Sequence, residues 1–167
     1  MLLRHAKSDW QDAALDDHDR PLAPRGLMAA GQMGYHLRDN RIAVPELILC
    51  STARRARDTL AILLAAWGQR ARTRFLKSLY LCGGEGVMRR VHAVPDSVHS
   101  LLIVGHNPDL HEFACAVAST GSAAALDGLR DNFTTGALAR LDVGKASWSQ
   151  LVTGGALLAF TRPRDLD

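Results

Sequence analysis

The sequence predicts an α/β sandwich, three layers (α/β/α) around a mostly parallel mixed sheet with one antiparallel pair. Three observations carry this reading. Short apolar runs alternate with amphipathic stretches at helical spacing, the pattern of strands joined by crossover helices. Two strand-like segments close the chain with only a short polar connection between them, which makes that pair antiparallel. Aromatic residues are 5% of the chain against 47% hydrophobic overall, so the core must be aliphatic.

The apolar residues before Arg4 suit a short buried strand. Pro24 opens a helix in which Leu27, Ala30, Gly31, Gly34 and Leu37 recur at helical spacing; the small residues invite close backbone packing. Glu46 to Cys50 contains Leu-Ile-Leu, a buried strand. Ala56, Leu60, Leu63, Leu64 and Trp67 then mark a helix that Gly68 ends. Phe75 to Leu81 is expected as a strand, and Val87, Val91 and Val94 as a helix stopped before Pro95. Leu101 to Val104 is a strongly apolar strand. It leads through Gly105-His106-Asn107 into a helix presenting Leu110, Phe113, Ala114 and Val117, with Asn107 as its cap and Pro108 at its first position. The small residues at 118–125 are expected as a surface connection. Ala137, Ala139, Leu141 and Val143 alternate as a strand, and Ala156 to Phe160 forms its partner.

A chain of 167 residues fits one domain, 1–167, and is long enough to bury a core without staples. Hydrophobic residues at 47% with charged residues at 22% exclude a disordered chain. Cys50, Cys82 and Cys115 cannot form a complete disulfide set, and none sits in a C-x-x-C pair, which predicts a reduced, cytoplasmic setting. The longest apolar runs are far too short to span a bilayer, and no signal-peptide pattern is visible. The net charge of +3 allows anionic ligands without demanding nucleic acid, which is not expected as a partner. Residues 51–74 are locally basic, with six arginines against one acid, Asp58; a solvated Arg-rich face is the plain explanation for such a run.

Open α/β sheets bind ligands at the carboxyl ends of their strands. Three such ends carry unusual polar residues: Arg4-His5; Ser51 with Arg54, Arg55 and Arg57 in the following helical turn; and Gly105-His106-Asn107. If those strands are neighbours, two histidines and at least two arginines converge. Arginine offers a planar fork of donors matched to phosphate and keeps its charge. A neutral imidazole is a nucleophile able to accept a phosphoryl group. A second histidine, if protonated, donates to oxygens whose charge grows in the transition state. On this reading no metal and no cofactor are needed. Taken singly, each signal has a bland explanation, and Gly-His-Asn-Pro alone could be a helix cap.

The segments RHAKSDW (4–10), RPLAPRG (20–26), STARRARDT (51–59), LYL (79–81) and VGHNP (104–108) together resemble the histidine phosphatase superfamily, with its phosphoglycerate-mutase-like fold, and within it the small SixA-type phosphohistidine phosphatases. The resemblance implies that His5 is the phosphorylated nucleophile and Arg4 its phosphate-clamping neighbour. The family's pocket arginine lies four residues after the serine, which selects Arg55; His106 is implied as the second pocket histidine. Ser8 is a candidate for an added hydroxyl on the phosphate, and Asn107 serves as a cap in preference to a ligand. The remaining histidines (His18, His36, His92, His99 and His111) match no motif and are expected to be surface or structural residues. Arg20 and Arg25 are expected to hold the 20–26 loop, and Cys50 to be a core residue.

Larger members of the superfamily carry an acid that protonates the leaving oxygen, and no matching motif stands here. Glu85 is the one acid between Leu79 and Arg90, while Asp9 and Asp12 have no better claim. A phosphohistidine leaves as imidazole, whose conjugate acid has a pKa near ~6.5, and so needs little help from a general acid. The short segment between Leu81 and Pro95 leaves no room for a large lid. The expected partner is therefore a phosphorylated protein bearing phosphohistidine. A small phosphorylated metabolite is the alternative substrate. A polyanion-binding module without turnover is the alternative from another class.

Overall fold

The computed structural model describes residues 1–144 and 147–166. Its strands are β1 (Leu2–Arg4), β2 (Leu47–Ser51), β3 (Arg72–Leu76), β4 (Leu101–Gly105), β5 (Ala118–Gly121), β6 (Leu138–Asp142) and β7 (Gly155–Thr161). Its helices are α1 (Pro24–Asp39), α2 (Arg54–Trp67), α3 (Gly83–His92), α4 (Asp109–Val117) and α5 (Ala123–Asp131). The strands form one sheet in the order β3-β2-β4-β1-β6-β7-β5. Pairing is parallel from β3 to β1, β6 runs antiparallel to both β1 and β7, and β5 returns parallel to β7. The expected antiparallel pair is thus β6 and β7.

Alternation along the central strands divides the core. Leu3, Ile48, Cys50, Leu102 and Val104 pack with Met33 and Leu37 of α1 and Leu60, Leu63 and Trp67 of α2. Leu2, Leu47, Leu49, Leu101 and Ile103 pack with Val87 and Val91 of α3 and Leu110, Phe113 and Val117 of α4. The sheet is therefore the middle of three layers. The small residues of α1 do what their size suggests. A Cβ on Gly34 would lie 2.5 Å from the Leu63 carbonyl oxygen, so α1 and α2 touch backbone to backbone there.

Several expectations move. Leu27 is 46% exposed, and the buried stripe of α1 runs through Gly26, Ala30, Met33 and Leu37 instead. The third strand ends at Leu76, and a 3-10 turn at Lys77–Leu79 follows where strand was expected. β3 lies at the sheet edge and is half exposed on both faces, so the apolar alternation that marks a strand is missing. The supposed surface connection at 118–125 is strand β5 leading into α5; Ser122 caps that helix by accepting from Ala125 N–H at 3.3 Å. Small residues suffice there because β5 is an edge strand with three of its four residues exposed.

Candidate active site

Sheet register brings the site together. Arg4 pairs with Gly105 across β1 and β4, and Cys50 with Val104 across β2 and β4. The residues just beyond, His5, Ser51 and His106, therefore emerge at one level from three adjacent strands. His5 N–H donates to the Gly105 carbonyl at 3.0 Å, which extends the ladder to the nucleophile candidate itself. The two imidazole centroids lie 5.1 Å apart.

The His5 ring is oriented by its own loop. Nδ1 lies 2.8 Å from the Ala6 carbonyl oxygen, which can only accept, so Nδ1 carries the proton and Nε2 the lone pair. Arg55 Nε–H donates to that Nε2 at 3.3 Å. Burial, opposed by the Ala6 bond and reinforced by the Arg55 and Arg4 charges, pushes the His5 pKa down to about 4. His5 is thus neutral at physiological pH. Thr59 ties this loop to α2: its hydroxyl donates to the Arg55 carbonyl at 2.6 Å and accepts from Ala6 N–H at 3.0 Å.

His106 is set in a complementary way. Its Nε2 is 2.8 Å from Ser51 Oγ, which itself accepts from Ala53 N–H at 3.3 Å. The serine hydroxyl is thereby free to donate to Nε2, leaving the proton of a neutral ring on Nδ1. That Nδ1 is buried with no hydrogen-bond partner. Burial first, then the His5 and Arg55 interactions, lower the His106 pKa to about 3. His106 therefore need not be protonated to donate, because the neutral ring already presents Nδ1–H.

Of the three arginines after Ser51, only Arg55 is buried; Arg54 and Arg57 face solvent, Arg54 beside Asp58 at 3.6 Å. Arg55 is held from the far side by Asp17, which sequence reasoning missed. Nη2 lies 2.9 Å from Asp17 Oδ2, and Nη1 donates to the Asp17 main-chain carbonyl. Tyr80 O–H donates to the same Oδ2 at 2.6 Å. The Tyr80 bond and Arg55 hold the Asp17 carboxyl below its ordinary range, while burial and Asp17 raise the Tyr80 phenol. The Tyr80 ring stands edge-on to His106 with centroids 5.3 Å apart. His18, expected as a surface or structural residue, stands edge-on to Tyr80 with centroids 5.0 Å apart and meets Thr52 Oγ1 at 3.0 Å.

Arg4 Nη1 donates to the Phe133 carbonyl at 2.8 Å, and its buried Nε has no partner. Asn107 is not a cap. Its Nδ2 donates to the same Phe133 carbonyl at 2.9 Å, its Oδ1 is buried and unpaired, and α4 begins at Asp109 with Pro108 in the capping place. Ser8 is buried within the first loop and bridges to Leu22 through its backbone. Gly26 lets the 20–26 segment press on that loop, since a Cβ there would meet the Lys7 carbonyl oxygen at 2.1 Å. Arg20 stacks on Trp10 at 3.5 Å and approaches Asp17 Oδ1 at 3.5 Å. Arg25 is exposed.

The structure does not bring Glu85 to the site. Its side chain is 96% exposed and pairs loosely with Arg89 at 3.8 Å on the outer face of α3, because the buried face of that helix is taken by Val87 and Val91. Asp9 and Asp12 accept from Gln11 and Ala14 N–H groups in local turns. Cys50 is buried, its thiol pushed up to about 12, as suits a core residue.

Comparison with known proteins agrees with this geometry. Residues 1–77 match the profile of the histidine phosphatase superfamily (branch 1). A candidate phosphohistidine phosphatase SixA from Nakamurella multipartitia is 33% identical; the alignment covers 97% of this chain and 95% of that one, at a TM-score of 0.80. The protein histidine phosphatase SixA complexed with tungstate shares the fold at 22% identity, with 99% and 97% coverage and a TM-score of 0.79. The uncharacterized protein Rv1276c of Mycobacterium tuberculosis is 41% identical over 97% of this chain and 100% of its own length. The chain belongs to the histidine phosphatase superfamily. Within it the chain falls in the SixA-type branch and is a phosphatase. Among the described residues no helix is long and apolar enough to cross a membrane.

Proposed function

We propose that this phosphatase hydrolyses phosphohistidine on proteins, through a phosphoryl group carried on His5. The observation that carries the substrate reading is that, among the described residues, neither Glu85 nor the ionised Asp17 is set to protonate a leaving oxygen. Glu85 faces solvent, and Asp17 is engaged by Arg55 and Tyr80. An alkoxide would leave without a proton, whereas imidazole leaves as a weak base.

The proposed steps follow the hydrogen bonds. His5 Nε2 attacks phosphorus in line with the leaving nitrogen, while Nδ1–H stays on the Ala6 carbonyl and the new P–N bond makes the ring cationic. Arg55, Arg4 and the unpartnered His106 Nδ1–H face the phosphoryl oxygens and stabilise the charge spreading over them. Water then attacks from the vacated side, and phosphate departs as His5 regains its lone pair. The similarity of SixA proteins, described as phosphohistidine phosphatases, supports the same substrate class.

The test compares kcat/KM for a phosphohistidine protein with that for an alkyl phosphate. A preference of about a thousandfold or more is expected for phosphohistidine, since an unassisted alkoxide forfeits a general-acid contribution of roughly 10²–10⁴. His5→Ala should lose turnover together with the acid-labile phosphoenzyme. Equal rates on both substrates would overturn the substrate reading, and turnover retained in His5→Ala would overturn the mechanism.

A further inference from the structure

Asp17 is an odd residue to find beside a phosphate-binding basin. A carboxylate there opposes a dianion and neutralises part of the Arg55 charge. Holding Arg55 does not require it, because the Asp17 main-chain carbonyl already accepts from Nη1. Its two oxygens are also unequally used. Oδ2 receives Arg55 Nη2 and the Tyr80 hydroxyl, whereas Oδ1 has only Arg20 Nη1 at 3.5 Å, and the side chain is 43% exposed. Oδ1 of this part-exposed carboxylate therefore keeps acceptor capacity to spare. The Arg55 guanidinium links this carboxylate to His5 Nε2: it donates to Asp17 Oδ2 at 2.9 Å and to His5 Nε2 at 3.3 Å.

Resting on the phosphohistidine reading above, we propose that Asp17 determines leaving-group specificity by accepting the hydrogen bond of the substrate imidazole's distal N–H. The chemistry balances as an exchange between two matched nitrogens. The substrate ring enters as a cation, phosphorylated on one nitrogen and protonated on the other. The lone pair of His5 Nε2 forms a P–N bond. The substrate's P–N bond breaks and its electron pair returns to the leaving nitrogen. The distal proton stays in place, so neutral imidazole departs and the positive charge passes to the His5 ring. Asp17 favours the protonated substrate that this exchange requires, and gives no such help to an alkyl or aryl phosphate.

The experiment cuts the contact from the substrate side first. N-phosphorylimidazole is compared with its analogue methylated on the distal nitrogen, which is permanently cationic but lacks the N–H. The methyl analogue should show kcat/KM lower by about 10- to 100-fold, the effect of one charge-assisted hydrogen bond. In Asp17→Ala the penalty should shrink to within about threefold, because the two deletions remove the same interaction and cannot add. Asp17→Asn serves in the same cycle if Asp17→Ala does not fold. Equal turnover of the two probes by the unaltered enzyme, or a penalty that persists undiminished in the variant, would overturn the proposal. Failure of the unaltered enzyme to hydrolyse either phosphoramidate, while it hydrolyses p-nitrophenyl phosphate, would instead overturn the phosphohistidine reading itself.

Discussion

The two ends of the central strands solve opposite problems with the same backbone. At the amino ends, Leu2, Val91, Leu101, Phe113 and Trp148 line a cavity of about 270 Å³, and two polar side chains beside it find backbone partners. Trp148 Nε1–H donates to the Val98 carbonyl at 2.6 Å, and His92 Nε2 meets the Leu151 carbonyl at 2.7 Å. At the carboxyl ends, Arg4 Nε, His106 Nδ1 and Asn107 Oδ1 are buried without partners. Orphaned buried polar atoms cost stability, so a cluster of them requires an explanation. On the proposed function, a bound tetrahedral anion would supply it. One end of the sheet is closed by apolar packing, whereas the other is left for the proposed substrate to complete.

Three measurements sharpen or break that contrast. Arg55→Lys keeps the charge but loses the fork, and should lower kcat/KM by about 10²–10³; a change under about threefold would remove Arg55 from the basin's chemistry. Leu101→Ala at the opposite end should lower the unfolding free energy by about 2–5 kcal/mol in a denaturant titration, while kcat of the folded enzyme stays put. A matching loss of kcat there would mean the two ends are not independent.

The third measurement is the pH dependence of stability. His5 and His106 have folded-state pKa values near 4 and 3, below the ordinary 6.5. The unfolded chain therefore binds more protons between those values, and stability falls as pH drops from about 6.5 towards 3. The contribution is fully present above about pH 6.5. Burial of this kind shifts stability by on the order of a few kcal/mol. Tungstate or phosphate should flatten the slope, because a bound anion favours the charged imidazoles. A flat profile without anion would contradict the buried, neutral pair.

How much was legible follows from what each residue leaves in the sequence. β1, β2 and β4 are buried on both faces and read as unbroken apolar runs, and their polar ends therefore stood out. His5, Arg55 and His106 were found because they sit at those ends beside motifs. Asp17, Tyr80 and Thr59 act through partners tens of residues away in sequence, and nothing local distinguishes their roles; Ser51 stood out at its strand end, but not its bond to His106. Tyr80 lies in the LYL segment, where strand was expected and a 3-10 turn instead precedes a ring set beside His106. Asn107 looked like a cap because Asn before Pro at a helix start usually is one; the Phe133 carbonyl that claims its amide comes from a distant loop. β5 and α5 escaped notice because alanines and serines carry no periodic signal.

Thr59 has a consequence of its own. With one hydroxyl it joins the peptide after His5 to the carbonyl of Arg55, so the attacking ring and its guanidinium companion share a single anchor. Any breathing between the sheet and its helical layer carries both groups along in step. Their spacing is thereby insulated from motions that would blur it if each were mounted separately.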